Sequence, residues 1–158
     1  MNREFETGMV WFRRDLRIFD NAALSMALQS CRHLYCVFIF DQDILDVLPR
    51  QDRRVEFIRE SLVELDAMIR SYQSESGLVV RTGIAVNEVV KLVVMLNVQA
   101  IFAGHDDEPQ SLVRDARVAH SLRLHGAVLR TCKEHVIFER REILTHSGNP
   151  FGIFTPYK

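Results

Sequence analysis

Five near-continuous apolar runs of strand length, separated by segments of helical periodicity, constrain this 158-residue chain more than any other feature. The runs are Gly8 to Arg13, His33 to Phe40, Leu78 to Thr82, Val98 to Ala103 and Ala127 to Thr131. Their Val, Ile, Leu and Phe content without polar alternation predicts strands covered on both faces, as in a parallel sheet. Between them, Val55, Ile58, Leu62, Leu65, Ile69 and Tyr72 step by three and four, predicting one face of an amphipathic helix over residues 53–72. Val86, Val89, Val90 and Val93 predict another. Leu112, Ala116 and Ala119 predict a third, which runs from Pro109 in its first turn to Leu124. Asp20, ahead of Asn21, reads as the cap of a helix that follows the first run.

Strands and helices thus alternate as β-α-β-α-β-α-β-α-β. With right-handed crossovers this predicts an α/β fold, a Rossmann-like, doubly wound five-stranded parallel sheet of order 3-2-1-4-5 flanked by helices. Residues 1–158 read as a single domain, which at this length can bury about 68–70% of its unfolded surface. From about Glu134 the periodicity fades, and Ser147-Gly148-Asn149-Pro150 marks a turn. Twenty basic residues against 21 acidic ones leave no global field to draw nucleic acid or an anionic membrane. Cys31, Cys36 and Cys132 are odd in number and lack C-x-x-C spacing, so they read as reduced, buried thiols of a cytoplasmic protein. Residues 1–7 contain no apolar signal core, and no apolar stretch reaches the roughly 18 residues of a membrane span.

In such sheets ligands bind beyond the carboxyl ends of the strands where strand order reverses, here between the first and fourth strands. Polar residues gather at those ends. Arg13, Arg14 and Asp15 follow the first strand, Asp41 and Asp43 the second, and His105, Asp106, Asp107 and Glu108 the fourth. With Trp11, Phe12 and Phe40 as an aromatic wall, the expected pocket suits a flat conjugated ligand. Blander roles compete. Arg13, Arg14, Asp15 and Arg17 also read as a local ion-pair network holding the first loop, and Asp20 as a cap rather than a catalytic acid. The run from His105 to Glu108 lacks a second His or Cys at ligand spacing, which argues against a metal. No G-x-G-x-x-G follows the first strand and no Walker-type loop is present, which argues against dinucleotide and P-loop binding.

The stretch Val10-Trp11-Phe12-Arg13-Arg14-Asp15-Leu16-Arg17-Ile18-Phe19-Asp20-Asn21-Ala22-Ala23-Leu24 closely resembles the opening signature of the DNA photolyase and cryptochrome flavoproteins. The resemblance continues in order along nearly the whole chain. Arg54-Val55-Glu56-Phe57-Ile58 is similar to the family's second long helix. Asp106-Asp107-Glu108-Pro109 with Arg114-Asp115 resembles its D-x-E-P…R-D stretch, and Gly148-Asn149-Pro150-Phe151 and Phe154-Thr155-Pro156-Tyr157-Lys158 resemble its G-N-P-Y and F-T-P-F-K. This likeness implies the N-terminal antenna-binding domain of a flavoprotein whose C-terminal helical domain, absent from this chain, binds FAD and damaged DNA. It implies a deoxyribodipyrimidine photolyase that splits cyclobutane pyrimidine dimers by light-driven electron transfer from reduced FAD. On that reading the catalytic residues lie outside these 158 residues, and the partners are the chain's own FAD domain and damaged DNA, with no membrane and no metal. A cryptochrome photoreceptor and a stand-alone nucleotide-binding module are the alternatives.

By motif position the likeness makes Asp106 the antenna-contacting acid, with Arg13, Asp41 and Arg54 around it and Trp11, Phe40 and His105 completing the site. Gln110 and Ser111 stand where folate-binding members carry Asn-Glu, so a deazaflavin or FMN is favoured over methenyltetrahydrofolate. Gly104 and Leu112-Val113 also depart from the family's commoner Asn and Arg-Asp, which leaves the chromophore open between a deazaflavin, FMN and none.

Overall fold

The computed structural model describes residues 3–139 and 141–152. Its five strands, β1 (Phe5–Phe12), β2 (Cys31–Asp41), β3 (Leu78–Gly83), β4 (Ala100–Gly104) and β5 (Val128–Cys132), form one sheet of order β3-β2-β1-β4-β5. All four pairings are parallel. The doubly wound α/β sheet expected from the sequence is the sheet observed. Its first two strands start earlier than the apolar runs, at Phe5 and Cys31. These two residues pair with each other, so the ladder carries polar residues such as Thr7 and His33 into the sheet.

Because successive strand residues face opposite ways, the core divides in two. Val10, Phe12, Phe38, Ala100 and Phe102 meet α1 (Ala22–Ser30) and α3 (Arg53–Tyr72) on one face. Met9, Trp11, Val37, Ile101 and Ala103 meet α4 (Ala85–Leu96) and α5 (Pro109–Leu124) on the other. Every residue of β4 is buried, as suits a central strand covered on both faces. A one-turn helix, α2 (Gln42–Leu45), follows β2 and was not legible as a helix in the sequence.

Two local expectations are corrected. The cap of α1 is Asn21, whose side chain accepts from the Leu24 N–H at 2.8 Å, while Asp20 sits one residue earlier in a left-handed conformation with φ 48°. The apolar residues Leu112 and Ala116 of α5 face solvent rather than the sheet, and Ala119 is only half-buried. The face that packs down is Ser111, Val118 and Leu122, with Arg114 over Trp11 and Asp115 bonded to Arg13 between them. Counting apolar residues alone chose the wrong stripe, since the tucked-in positions carry charges that pair with one another. In α3, Leu62 and Leu65 are buried as expected, whereas Tyr72 at the end of the same stripe is exposed.

Cys31 is buried and Cys36 and Cys132 are half-buried, and all three are free thiols. Burial pushes the Cys36 and Cys132 thiols up to about 11, helped at Cys132 by the nearby Glu134, Asp15 and Glu139 carboxylates. Among the described residues no helix is long and apolar enough to cross a membrane. The segment Phe154-Thr155-Pro156-Tyr157-Lys158 lies outside the described residues.

Candidate functional site: the carboxyl edge of the sheet

The loop leaving β1 is built on one buried acid. Asp15, 2% exposed, accepts from the Arg13 N–H at 3.1 Å and from the Asn21 side-chain amide at 3.1 Å. The same amide donates to the carbonyls of Asp15 and Arg17. Asn21 thus caps α1 with its oxygen and ties down the loop with its nitrogen, which explains an Asn rather than an Asp at this position.

The arginines of this loop reach across the sheet rather than to one another. Arg13 donates through Nη1 to both carboxylate oxygens of Asp115 at 2.8 Å and through Nη2 to the Gly104 carbonyl at 2.7 Å. Arg114 donates to the same Asp115 carboxylate at 3.1 Å. Both guanidiniums stack on the indole of Trp11, at 4.7 and 5.1 Å from the ring centre. Trp11 is 2% exposed and covered by these cations. The network expected within the first loop is therefore an anchor between β1, β4 and α5.

Arg14 turns the other way, to Asp106 at 3.3 Å and Glu108 at 2.7 Å. Burial pushes the Asp106 carboxyl up, but the Ser111 hydroxyl, the Glu108 N–H and the Arg14 and Arg114 guanidiniums outweigh it and hold the group below its ordinary range. His105 pairs through Nδ1 with Glu139 at 2.5 Å.

The chain's own segment after β5 packs against the end of β4 and the loop after β1. Glu134 turns its carboxylate in, 2% exposed, to accept from Arg17 at 2.6 Å and from the Ala22 N–H at the start of α1 at 2.7 Å. This approach requires Gly104, where a Cβ would lie 2.8 Å from that of Glu134. Lys133 and Glu142 close the segment on itself at 2.6 Å. Beside this strap, Ile18, Leu24, Leu28 and Val136 line an open groove of about 590 Å³ with Asp20, Lys133 and Glu134 at its polar end.

The sequence-predicted residues divide accordingly. Arg13, Trp11 and Asp106 are joined by one set of contacts with Arg114 and Asp115. Asp41, 7% exposed, accepts from the Ala85 and Asp43 N–H groups and so connects β2 to the starts of α2 and α4. Arg54 is exposed and spends its guanidinium on Asp52, the cap of its own helix, at 2.6 Å. Phe40 packs edge-on against Phe38, on the face opposite Trp11. The aromatic wall of Trp11, Phe12 and Phe40 is therefore not one surface, since strand alternation sends Trp11 to one side of the sheet and Phe12 and Phe40 to the other. Glu134 and Glu139 escaped the sequence reading, as nothing near them in the chain signals partners at Arg17 and His105. The Arg114-Asp115 pair was visible only as part of a motif. Among the described residues no group of three or more His, Cys, Asp or Glu side chains could hold a metal ion.

A model of the family described as DNA photolyase matches residues 9–158, a span that contains this edge. The chain belongs to the DNA photolyase family. It corresponds to the N-terminal α/β domain of photolyases and cryptochromes. It is 30% identical over 149 residues to a deoxyribodipyrimidine photo-lyase of a Synechococcus strain, covering 94% of this chain and 30% of the relative. Cryptochrome-1 of Arabidopsis thaliana is 29% identical over 150 residues, covering 95% of this chain and 22% of the relative. Among solved structures, an archaeal photolyase from Sulfolobus tokodaii, described with two FAD molecules and an implied novel light-harvesting cofactor, superposes with a TM-score of 0.72 at 31% identity. That match covers 85% of this chain and 32% of the archaeal one. The chain thus spans about a third or less of each of these three relatives.

Proposed function

We propose that this photolyase-family domain holds an antenna chromophore for a light-driven DNA repair lyase, in which a separate helical domain carries FAD and damaged DNA. The observation that carries the reading is the polar set at the carboxyl edge. Arg13 Nε and Arg114 Nη2 are buried and have no hydrogen-bond partner among the described residues. Both guanidiniums lie against Trp11, and the Asp106 carboxylate, 9% exposed, stands 3.9 Å from Arg114 Nη2. Unspent donors beside an acceptor fit the edge of a heteroaromatic ring that has both kinds of group. A deazaflavin or FMN has that edge, and Gln110 and Ser111 stand where a folate-type site would need Asn-Glu.

In this reading Asp106 accepts from the ring, Arg13 and Arg114 donate to it, and the Asp115 carboxylate holds both guanidiniums in place. Once bound, the antenna supplies absorption of near-ultraviolet and blue light and passes the excitation to FAD. Trp11 excludes water from beneath the two arginines, which keeps their charges strong in a low local dielectric. The repair chemistry belongs to the FAD domain, where reduced, excited flavin supplies the electron that splits a cyclobutane pyrimidine dimer flipped out of the duplex.

The test uses the full-length protein that contains this domain. Asp106→Ala is expected to abolish antenna absorption while FAD binding and dimer repair under direct flavin excitation persist. An unchanged absorption spectrum would refute the assignment of Asp106. Absence of dimer repair by the wild-type protein under blue light would refute the repair reading, and favour the photoreceptor role that the 29% identity to a plant cryptochrome makes the second choice.

A further inference from the structure

Asp106 has one partner that can leave without opening the core. Ser111 is 5% exposed and the Arg114 side chain 13% exposed, while the Glu108 N–H that it accepts at 3.3 Å is loop backbone. The Arg14 side chain is 52% exposed and bridges Asp106 Oδ2 at 3.3 Å and Glu108 Oε1 at 2.7 Å. Exposed ion pairs of this kind contribute only about 0–1 kcal/mol, because solvent competes for both charges and the long side chain loses rotamer freedom. Arg14 is therefore held loosely over a carboxylate that is itself held firmly. The other cations at this edge are committed, Arg13 and Arg114 to Asp115 and Arg17 to Glu134. Among the described residues at this edge, Arg14 is the guanidinium that can turn toward an arriving anionic group, and the planar fork of an arginine matches a phosphate.

We propose that Arg14 determines specificity at the chromophore site, covering Asp106 in the unliganded domain and, on binding, releasing it to pair with the phosphate of a phosphorylated flavin, so that FMN is preferred over riboflavin. This rests on the reading of Asp106 as the ring-contacting acid. The exchange leaves Asp106 and Arg14 partnered, since Asp106 gains a donor from the ring as Arg14 gains the phosphate, and it returns the Glu108 carboxylate, 63% exposed, to solvent.

The test is a fluorescence titration of FMN and of riboflavin with the 158-residue chain, its Arg14→Gln and Arg14→Lys variants, and Asp106→Asn. A charge-assisted pair corresponds to roughly 10-fold or more in affinity, so the wild type should bind FMN about 10-fold tighter than riboflavin. Arg14→Gln should lower FMN affinity to that of riboflavin, Arg14→Lys should restore part of the difference, and added salt should shrink it in the wild type. Asp106→Asn should weaken both flavins while leaving their ratio in place. A wild type without the preference, or an Arg14→Gln variant that keeps it, overturns the role of Arg14 alone. Binding of neither flavin, or of both unaffected by Asp106→Asn, overturns the reading of Asp106 and the inference with it.

Discussion

Gly104 is the position at which the packing of the segment after β5 on the end of β4 can be tested most directly. An alanine there would put its Cβ 2.8 Å from Glu134 Cβ and 3.1 Å from Glu134 Cγ, and 3.6 Å from Asp15 Oδ2. Removing a strand glycine ordinarily stabilises by about 0.5–1 kcal/mol through chain entropy. Here the contact falls on the root of a buried side chain, which cannot swing away as a flexible tip would. Overpacking of this kind costs about 1–3 kcal/mol. If Glu134 retreats instead, the Ala22 N–H and the Arg17 guanidinium lose an acceptor, at about 1–3 kcal/mol. The net expectation for Gly104→Ala is a loss of about 2 kcal/mol. For a chain of this size that lowers Tm by roughly 4–8 °C. Urea unfolding followed by the emission of Trp11, the only tryptophan, measures the loss. Glu134→Gly removes the Cβ and Cγ that the new methyl meets, so in that background the cost of Gly104→Ala should shrink by at least about 1 kcal/mol. A neutral or stabilising Gly104→Ala, or single costs that add to within about 0.5 kcal/mol in the double variant, would refute the tie between Glu134 and the end of β4.

Three further outcomes follow from the same geometry. Asn21→Ala removes the cap of α1 and the three bonds that its amide gives the β1 loop, and should cost about 2–3 kcal/mol in the same urea assay, well above an ordinary cap loss of about 1 kcal/mol. The Lys91 ammonium, against the opposing effect of burial and with help from Arg81, holds the Glu88 carboxyl below its ordinary value. A folded-state value below the unfolded one means that this contribution is present at neutral pH and lost as pH falls through the folded value. Wild type should therefore lose more stability between neutral and acid pH than Glu88→Gln does, as read by urea midpoints at each pH. With Cys36 and Cys132 raised to about 11, their thiolate fraction at mildly alkaline pH is roughly 100-fold below that of a thiol of pKa 9, so alkylation of the folded chain should be slow at both and accelerate sharply in urea. Rapid native alkylation of either would contradict its placement.

The sheet was legible because its information is local. Apolar runs such as Val98 to Ala103 and the three-four spacing in α3 arise from short-range periodicity, and strand order follows from crossover handedness. The errors fell where a side chain's partner lies far along the chain. Leu112 and Ala116 matched a helical stripe, yet Arg114 and Asp115 took the inward positions of α5 because Arg13 and Trp11, about a hundred residues earlier, supply a charge and a ring to receive them. Asp20 and Asn21 are both good caps by type, and only the backbone turn at φ 48° decided between them.

The candidate site divides along the same line. The amino-acid sequence alone determined the parallel α/β sheet, the family, and the gathering of Arg13, Arg14 and Asp106 at one edge, since each of these rests on residue type and order. Tertiary structure decided which of those charges are spent and which are available. It spent Arg17 on Glu134, set Arg13 and Arg114 on Trp11 with two donors that lack a hydrogen-bond partner among the described residues, and left Arg14 loosely over Asp106. Pairing between charges depends on distance and burial, and neither is written into the order of residues along a chain.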